Sequence, residues 1–244
     1  MSFGNILGQL LEQGISGQDQ TRARLDASTQ SIAQGGLADI AKAFLSQPQA
    51  GGMTGAQIGG LGAIAGALIG GGGRAVRGAA GGGAMAILGT LALAALQNAR
   101  AGGQAGPGAQ VAAGAAPTRE DVAAVVSEEG ERLALRAMIA AAKADGQIDL
   151  QEMDRILGRM NADEVTDAER RFVVEEISRP LDPADLAKDV RNPAQAAEVY
   201  AASLLAIDVD SEPEREYLRA LAAALRLDPG TVSFLHRTTG APAA

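Results

Sequence analysis

The chain has 244 residues, 47% of them hydrophobic, which is enough for one sizeable core, but 32 glycines and 2% aromatics exclude a packed domain over its whole length. The absence of cysteine removes disulfides, thiolate nucleophiles and cysteine-based zinc sites, and a single histidine, His236, removes any multi-histidine metal site. A net charge of −8 with no cluster of Lys and Arg argues against nucleic acid as a partner, because phosphate binding works by clustered cations that release counterions.

Charge is unevenly spread and divides the chain into three. Residues 1–42 carry three basic and four acidic side chains, 43–118 carry only Arg74, Arg77 and Arg100 with no acid, and 119–244 carry 15 basic and 25 acidic side chains. In the first region, residues 1–50, Phe3, Ile6, Leu7, Leu10, Leu11 and Ile15 recur at helical spacing and predict an amphipathic helix. Its first basic residue is Arg22, so it lacks the positive flank of a helix drawn to anionic lipid and the n-region of a signal peptide. Docking on another helix is the expectation.

The second region, 54–99, holds two uncharged stretches, Thr54–Gly73 and Gly78–Ala99, separated by Arg74-Ala75-Val76-Arg77. About 20 residues at roughly 1.5 Å rise each span the ~30 Å hydrocarbon core, so each stretch has the length of a transmembrane helix. The first holds nine glycines with small-xxx-small steps at Gly55/Gly59 and Gly62/Gly66/Gly70, which let helix backbones approach closely in lipid. The second gathers Met85, Ile87, Leu88, Leu91, Leu93 and Leu96, whose insertion energy is about −0.3 to −0.6 kcal/mol per Leu or Ile at the helix centre. That total is marginal for a single span, so the expectation is a membrane-inserting hairpin or a glycine-faced assembly, with a flexible Gly/Ala tract in water as the alternative. Arg74 and Arg77 favour the cytoplasmic side, but Arg100 at the far end leaves the side of the C-terminal domain open.

Residues 100–118 have the small, uncharged, Pro/Gly-punctuated composition of a linker. After Thr118 the pattern is helical to about residue 238, with helix-start signals at Ser127, Asp149 with Glu152, Thr166 with Glu169, Asp182-Pro183, Asn192-Pro193, Ser211 with Glu214, and Asp228-Pro229. Apolar stripes follow these caps: Leu150, Met153, Ile156, Leu157 and Met160, then Phe172 and Ile177, then Tyr217, Leu218, Leu221 and Leu225. An acidic, all-α domain of roughly seven short helices is expected over 119–238.

Two segments of this domain have the same form of helix, acidic turn and capped helix. One is Ala144-Asp145-Gly146-Gln147-Ile148-Asp149-Leu150-Gln151-Glu152; the other is Ile207-Asp208-Val209-Asp210-Ser211-Glu212-Pro213-Glu214. Read as ADGxIDxxE and IDxDSxxExxYLxxLA, with GALIGGGGRAVRGAA upstream, they make the chain resemble the YebE-type bacterial inner-membrane proteins of unknown function. The C-terminal domain of that family is placed with the TerB-like, tellurite-resistance fold. The resemblance covers about residues 55–235 and leaves residues 1–50 outside it; its most specific part is the pair of acidic turns behind a glycine segment. It implies a TerB-like helical bundle, a bacterial inner-membrane location and a metal-binding role, and no reaction.

On their own residues the two turns permit two readings. Asp145, Asp149, Glu152, Asp208, Asp210 and Glu214 would form a hard, oxygen-rich site for Ca²⁺ or Mg²⁺ if the turns were neighbours. The first turn is not an EF-hand, because Gly146 directly follows the first Asp and Glu152 comes too early for the closing ligand. Alternatively Gly146 ends one helix while Asp149/Glu152 and Ser211/Glu214 are capping boxes that start the next, which leaves Asp145, Asp208 and Asp210 unassigned.

His236, near the end of the last helix, is read as a surface residue whose imidazolium suits the helix C-terminus. Gly70-Gly71-Gly72-Gly73-Arg74 follows no strand and precedes no GK[ST], so the phosphate-loop and dinucleotide fingerprints are absent. Arg170 and Arg171 sit among acids as a solvated face. The chain therefore reads as a membrane-anchored, non-enzymatic helical module for interaction or stress response that docks a protein partner or a copy of itself, with a divalent-cation-binding module as the alternative. No small-molecule substrate is implied.

Overall fold

A computed structural model describes residues 6, 23, 24, 27, 28, 82–100, 118–144, 146 and 166–242. These are helical, with no strand among them: α1 (Gly82–Arg100), α2 (Arg119–Val125), α3 (Glu128–Ala142), α4 (Asp167–Ser178), α5 (Pro183–Lys188), α6 (Pro193–Ala206), α7 (Glu212–Ala224) and α8 (Pro229–Thr239).

The starts of these helices follow from their caps. Thr118, Thr166 and Ser211 each form a complete capping box with Asp121, Glu169 and Glu214. Ser127, Asp182, Asn192 and Asp228 each accept a backbone N–H of the first turn, the last three with proline just inside the helix. The cap expected at Asp149 lies outside the described residues, as does the stripe from Leu150 to Met160.

The centre of the bundle is α6. Its sequence PAQAAEVYAASLLA is apolar or small on every face, and 13 of its 14 residues are buried. A helix apolar all round must be enclosed by others, and α6 is packed chiefly against α3 and α1, with α2, α7 and α8 completing the shell. Small residues set the approach distances. A Cβ on Gly130 would lie 2.6 Å from the Val125 carbonyl oxygen and 2.7 Å from that of Ala124, so the end of α2 rests directly on the first turn of α3.

α1 changes the expected organisation. Leu88, Leu91, Ala92 and Ala95 are fully buried and belong to the same hydrophobic cluster as Met138, Leu204 and Leu218. Of the apolar side chains expected to face lipid in Gly78–Ala99, Leu88, Leu91 and Leu96 are instead buried in the domain core, where α1 packs against α6 and α8. No helix among the described residues is long and apolar enough to cross a membrane. Thr54–Gly73 and the linker 101–117 lie outside the described residues. In the first region Ile6 is helical and 1% exposed within the core cluster, while Phe3, Leu7, Leu10, Leu11 and Ile15 of the expected stripe lie outside the described residues.

Candidate functional site

The second acidic turn links α6 to α7. Ser211 and Glu214 hold it: one carboxylate oxygen of Glu214 accepts the backbone N–H of Asp210 at 3.0 Å, the N–H of Ser211 at 2.9 Å and the Ser211 hydroxyl at 2.9 Å. Three donors on one oxygen commit that carboxylate to the helix start. The Asp210 side chain is exposed, and its carbonyl accepts from Arg215 at 3.3 Å.

Asp208 faces a cation that sequence reading did not bring there. The guanidinium of Arg24, 7% exposed, donates to the carbonyl of Leu204 at 2.8 Å and to that of Ile207, and lies 3.9 Å from the Asp208 carboxylate. One arginine thus caps the carbonyl end of α6, where the helix dipole favours positive charge, and balances the acidic turn. Burial pushes the Asp208 carboxyl above its ordinary value; Arg24 opposes this, while Asp210 and Glu214 add to it. Burial also lowers the Arg24 guanidinium, against the pull of Asp208, Glu214 and Asp210.

Of the six acids expected at a cation site, Asp145, Asp149 and Glu152 lie outside the described residues. Asp208, Asp210 and Glu214 share the second turn, and no group of three or more His, Asp or Glu among the described residues is arranged to hold a metal ion. The capping box at Ser211/Glu214 has the expected geometry.

His236 is a correction. It is 5% exposed, its Nε2 lies 2.9 Å from the Tyr200 hydroxyl, and its Nδ1 contacts the Pro242 carbonyl. The carbonyl must accept, so in the neutral ring Nδ1–H donates to Pro242 and Nε2 accepts from Tyr200. Burial depresses the imidazole below its ordinary value, and Arg24 acts in the same direction. The ring was expected at the surface because helical periodicity cannot show that residues 240–242 fold back over α8. A Cβ on Gly240 would sit 3.7 Å from Ala27, so the N-terminal segment and the chain's end meet at the C-terminal half of α6.

At the other end of α6 an open groove of about 610 Å³ lies between the last turn of α1, the α5–α6 corner, the end of α7 and the start of α8. It is lined by the apolar Leu96, Val190, Ala196, Leu225 and Leu227, and among the described residues it carries Lys188, Arg191 and Arg226 against one acid, Asp228. Asp228 is engaged with the backbone and hydroxyl of Thr231. Lys188 pairs with Asp185 and Arg191 with Glu129, both in exposed positions where such pairs are weak. Arg226 holds the αL position that ends α7, with φ at +55°. The bonds Arg226 N–H to Ala223 and Leu227 N–H to Ala222, at 3.1 and 3.0 Å, make a Schellman motif with arginine in the place glycine usually takes.

These features define a class: an all-α bundle around one enclosed apolar helix, with an arginine-balanced acidic turn at one end and a cation-rimmed groove at the other. The chain belongs to the family described as protein of unknown function, DUF533, which matches residues 51–239. An uncharacterised protein of Yersinia enterocolitica, described by its place in the ampR 5′ region, is 38% identical over 104 residues, covering 43% of this chain and 74% of that protein. No solved structure matches the chain. The family boundary at residue 51 takes in α1, which the charge pattern had set apart from the domain.

Proposed function

We propose that this chain is a non-enzymatic helical interaction module whose groove between α1, α5–α6, α7 and α8 holds an acidic, partly apolar segment of a protein partner. The groove carries the reading: an apolar lining gives such a segment area to bury, and three cations against one engaged acid favour carboxylates on a domain otherwise rich in acids. Thr54–Gly73 is the stretch through which the module would associate with the bacterial inner membrane.

Photo-crosslinkers placed at Ala99 or Val190 in the groove and at Arg219 outside it test this in the full chain. Adducts that form from the groove positions and are lost with Arg226→Glu are expected, and a second copy of this chain appearing as the adduct would assign self-association. Equal labelling from Arg219, or none from the groove, sinks the reading. Carbonate extraction of the full chain from membranes tests the anchoring: release into the soluble fraction removes it.

A Ca²⁺- or Mg²⁺-binding role for the second acidic turn has a narrow form, in which an ion takes the place that Arg24 holds beside Asp208. That substitution is testable separately.

A further inference from the structure

Glu198 is the only charged residue of α6, it is 0% exposed, and neither of its carboxylate oxygens has a hydrogen-bond partner among the described residues. Burying an ionised carboxylate with nothing to pair or solvate it is so unfavourable that the group takes a proton instead. On α1, which packs on α6, Gln97 Nε2 and both side-chain polar atoms of Asn98 are also buried and unpartnered, so they hold no hydrogen bond to Glu198.

Among the described residues, no cation of the packed helices acts on Glu198 strongly enough to offset its burial. From α3, Glu131 acts on Glu198 with like charge. Also on α3, Glu129 is bonded to Arg191, Arg132 lies over the Phe172 ring, and Arg136 is engaged with Glu176. From α1, Arg100 is bonded at 3.0 Å to Asp121 of α2. From α7 and α8, Tyr217 and His236 meet Ser203 and Tyr200 farther along α6. Burial first, and Glu131 second, raise the Glu198 carboxyl well above its ordinary range.

We propose that Glu198 is a proton-operated latch: in the closed bundle it is the neutral acid, and its ionisation releases the N-terminal half of α6 from α2 and α3. The tie that opens is identifiable. One turn before Glu198, Gln195 donates to the Ala124 carbonyl at 3.2 Å and accepts the Arg191 N–H at 2.9 Å. Ionised Glu198 needs water, and parting this turn from the end of α2 would admit it. Ala196 and Ala197, in the same turn, wall the groove, so opening here reshapes it. The latch stands on the fold alone and does not depend on the docking role.

The sign is fixed by linkage. With its folded pKa raised above the unfolded value of about 4.3, Glu198 contributes its full stability below that value and loses it as pH rises towards the folded pKa. The test uses the full chain, wild type and Glu198→Gln, in denaturant unfolding from pH 5 to pH 8.5, together with hydrogen exchange corrected for its intrinsic pH dependence. The unfolding equilibrium constant of wild type relative to Glu198→Gln is expected to rise up to about tenfold per pH unit and then level off. Amides of residues 195–199 are expected to lose protection over the same range in wild type only. A relative constant that does not change with pH overturns the latch, as does unchanged α6 protection while Glu198 titrates. Should Glu198→Gln not fold, the carboxyl ¹³C signal of Glu198 in wild type decides alone: a protonated carboxyl at pH 7 supports the proposal, and an ionised one overturns it.

Discussion

Arg24 and Leu204 are 180 residues apart in sequence, yet the buried guanidinium of the first donates to the main-chain carbonyl of the second at 2.8 Å. That contact fastens the N-terminal segment to the carbonyl end of the most enclosed helix. It also places a fixed positive charge beside Asp208. Hydrogen bonds from a charged donor contribute about 1.5–3 kcal/mol, and removing one partner of a buried pair leaves the other uncompensated. Arg24→Ala is therefore expected to lower the unfolding free energy by about 2–3 kcal/mol, with part of the loss recovered by adding Asp208→Asn. Urea unfolding of the four proteins of this cycle measures both; purely additive losses would show that Asp208 does not sense Arg24.

The same charge decides what divalent cations can do at the second acidic turn. With Arg24 in place, millimolar Ca²⁺ or Mg²⁺ is expected to leave the Tm of wild type unchanged, whereas Arg24→Gln leaves Asp208 facing Asp210 and Glu214 and is expected to gain stability from either ion. Differential scanning calorimetry with and without chelator reads the outcome. A rise in wild type that disappears in Asp145→Asn would place an ion at the first turn instead.

Acid pH should act through His236. Its folded pKa lies below the unfolded value of about 6.5 because burial disfavours the imidazolium. The unfolded chain then binds more protons, so this stability is complete above about pH 6.5 and is lost as pH falls through the folded pKa. Unfolding followed between pH 7.5 and 5 should show wild type losing stability relative to His236→Gln as pH falls, a difference from which the opposite Glu198 contribution, common to both, cancels. A difference between the two proteins that does not change with pH would assign the acid effect to another group. Tyr200→Phe, which removes the hydroxyl that Nε2 accepts, is expected to cost about 1 kcal/mol at neutral pH.

Gly130→Ala should be destructive out of proportion to one methyl group. A Cβ there meets two backbone carbonyls at the end of α2 inside van der Waals contact, and backbone yields less readily than a side chain. Overpacking of this kind costs about 1–3 kcal/mol. Alanine is the better helix former, so a variant as stable as wild type would mean that the α2–α3 corner can open without penalty.

Arg226→Gly separates stability from binding. A non-glycine residue at φ +55° carries left-handed strain, and relieving it should stabilise the domain by about 0.5–1 kcal/mol. The same substitution removes a cation from the groove, so crosslinking from Ala99 should fall while the Tm rises. Parallel change in the two quantities would dissociate Arg226 from docking.

What the sequence determined by itself was local. Thr166/Glu169, Asn192-Pro193, Ser211/Glu214 and Asp228-Pro229 mark helix starts because a cap is a bond between residues two or three apart, and spacing along the chain is all such a bond requires. The all-α class followed from them. The fate of Gly78–Ala99 was not legible, since an apolar helix has the same composition whether lipid or other helices cover it; only the packing of Leu88 and Leu91 against α6 and α8 decides. Glu198 did leave a trace, a lone acid in an apolar helix, but its burial without a partner among the described residues exists only once other helices enclose α6. Arg24 left none. Its meeting with Asp208, and that of His236 with Tyr200, join groups far apart in the chain, and bonds of that kind are set by tertiary packing, which no local pattern encodes.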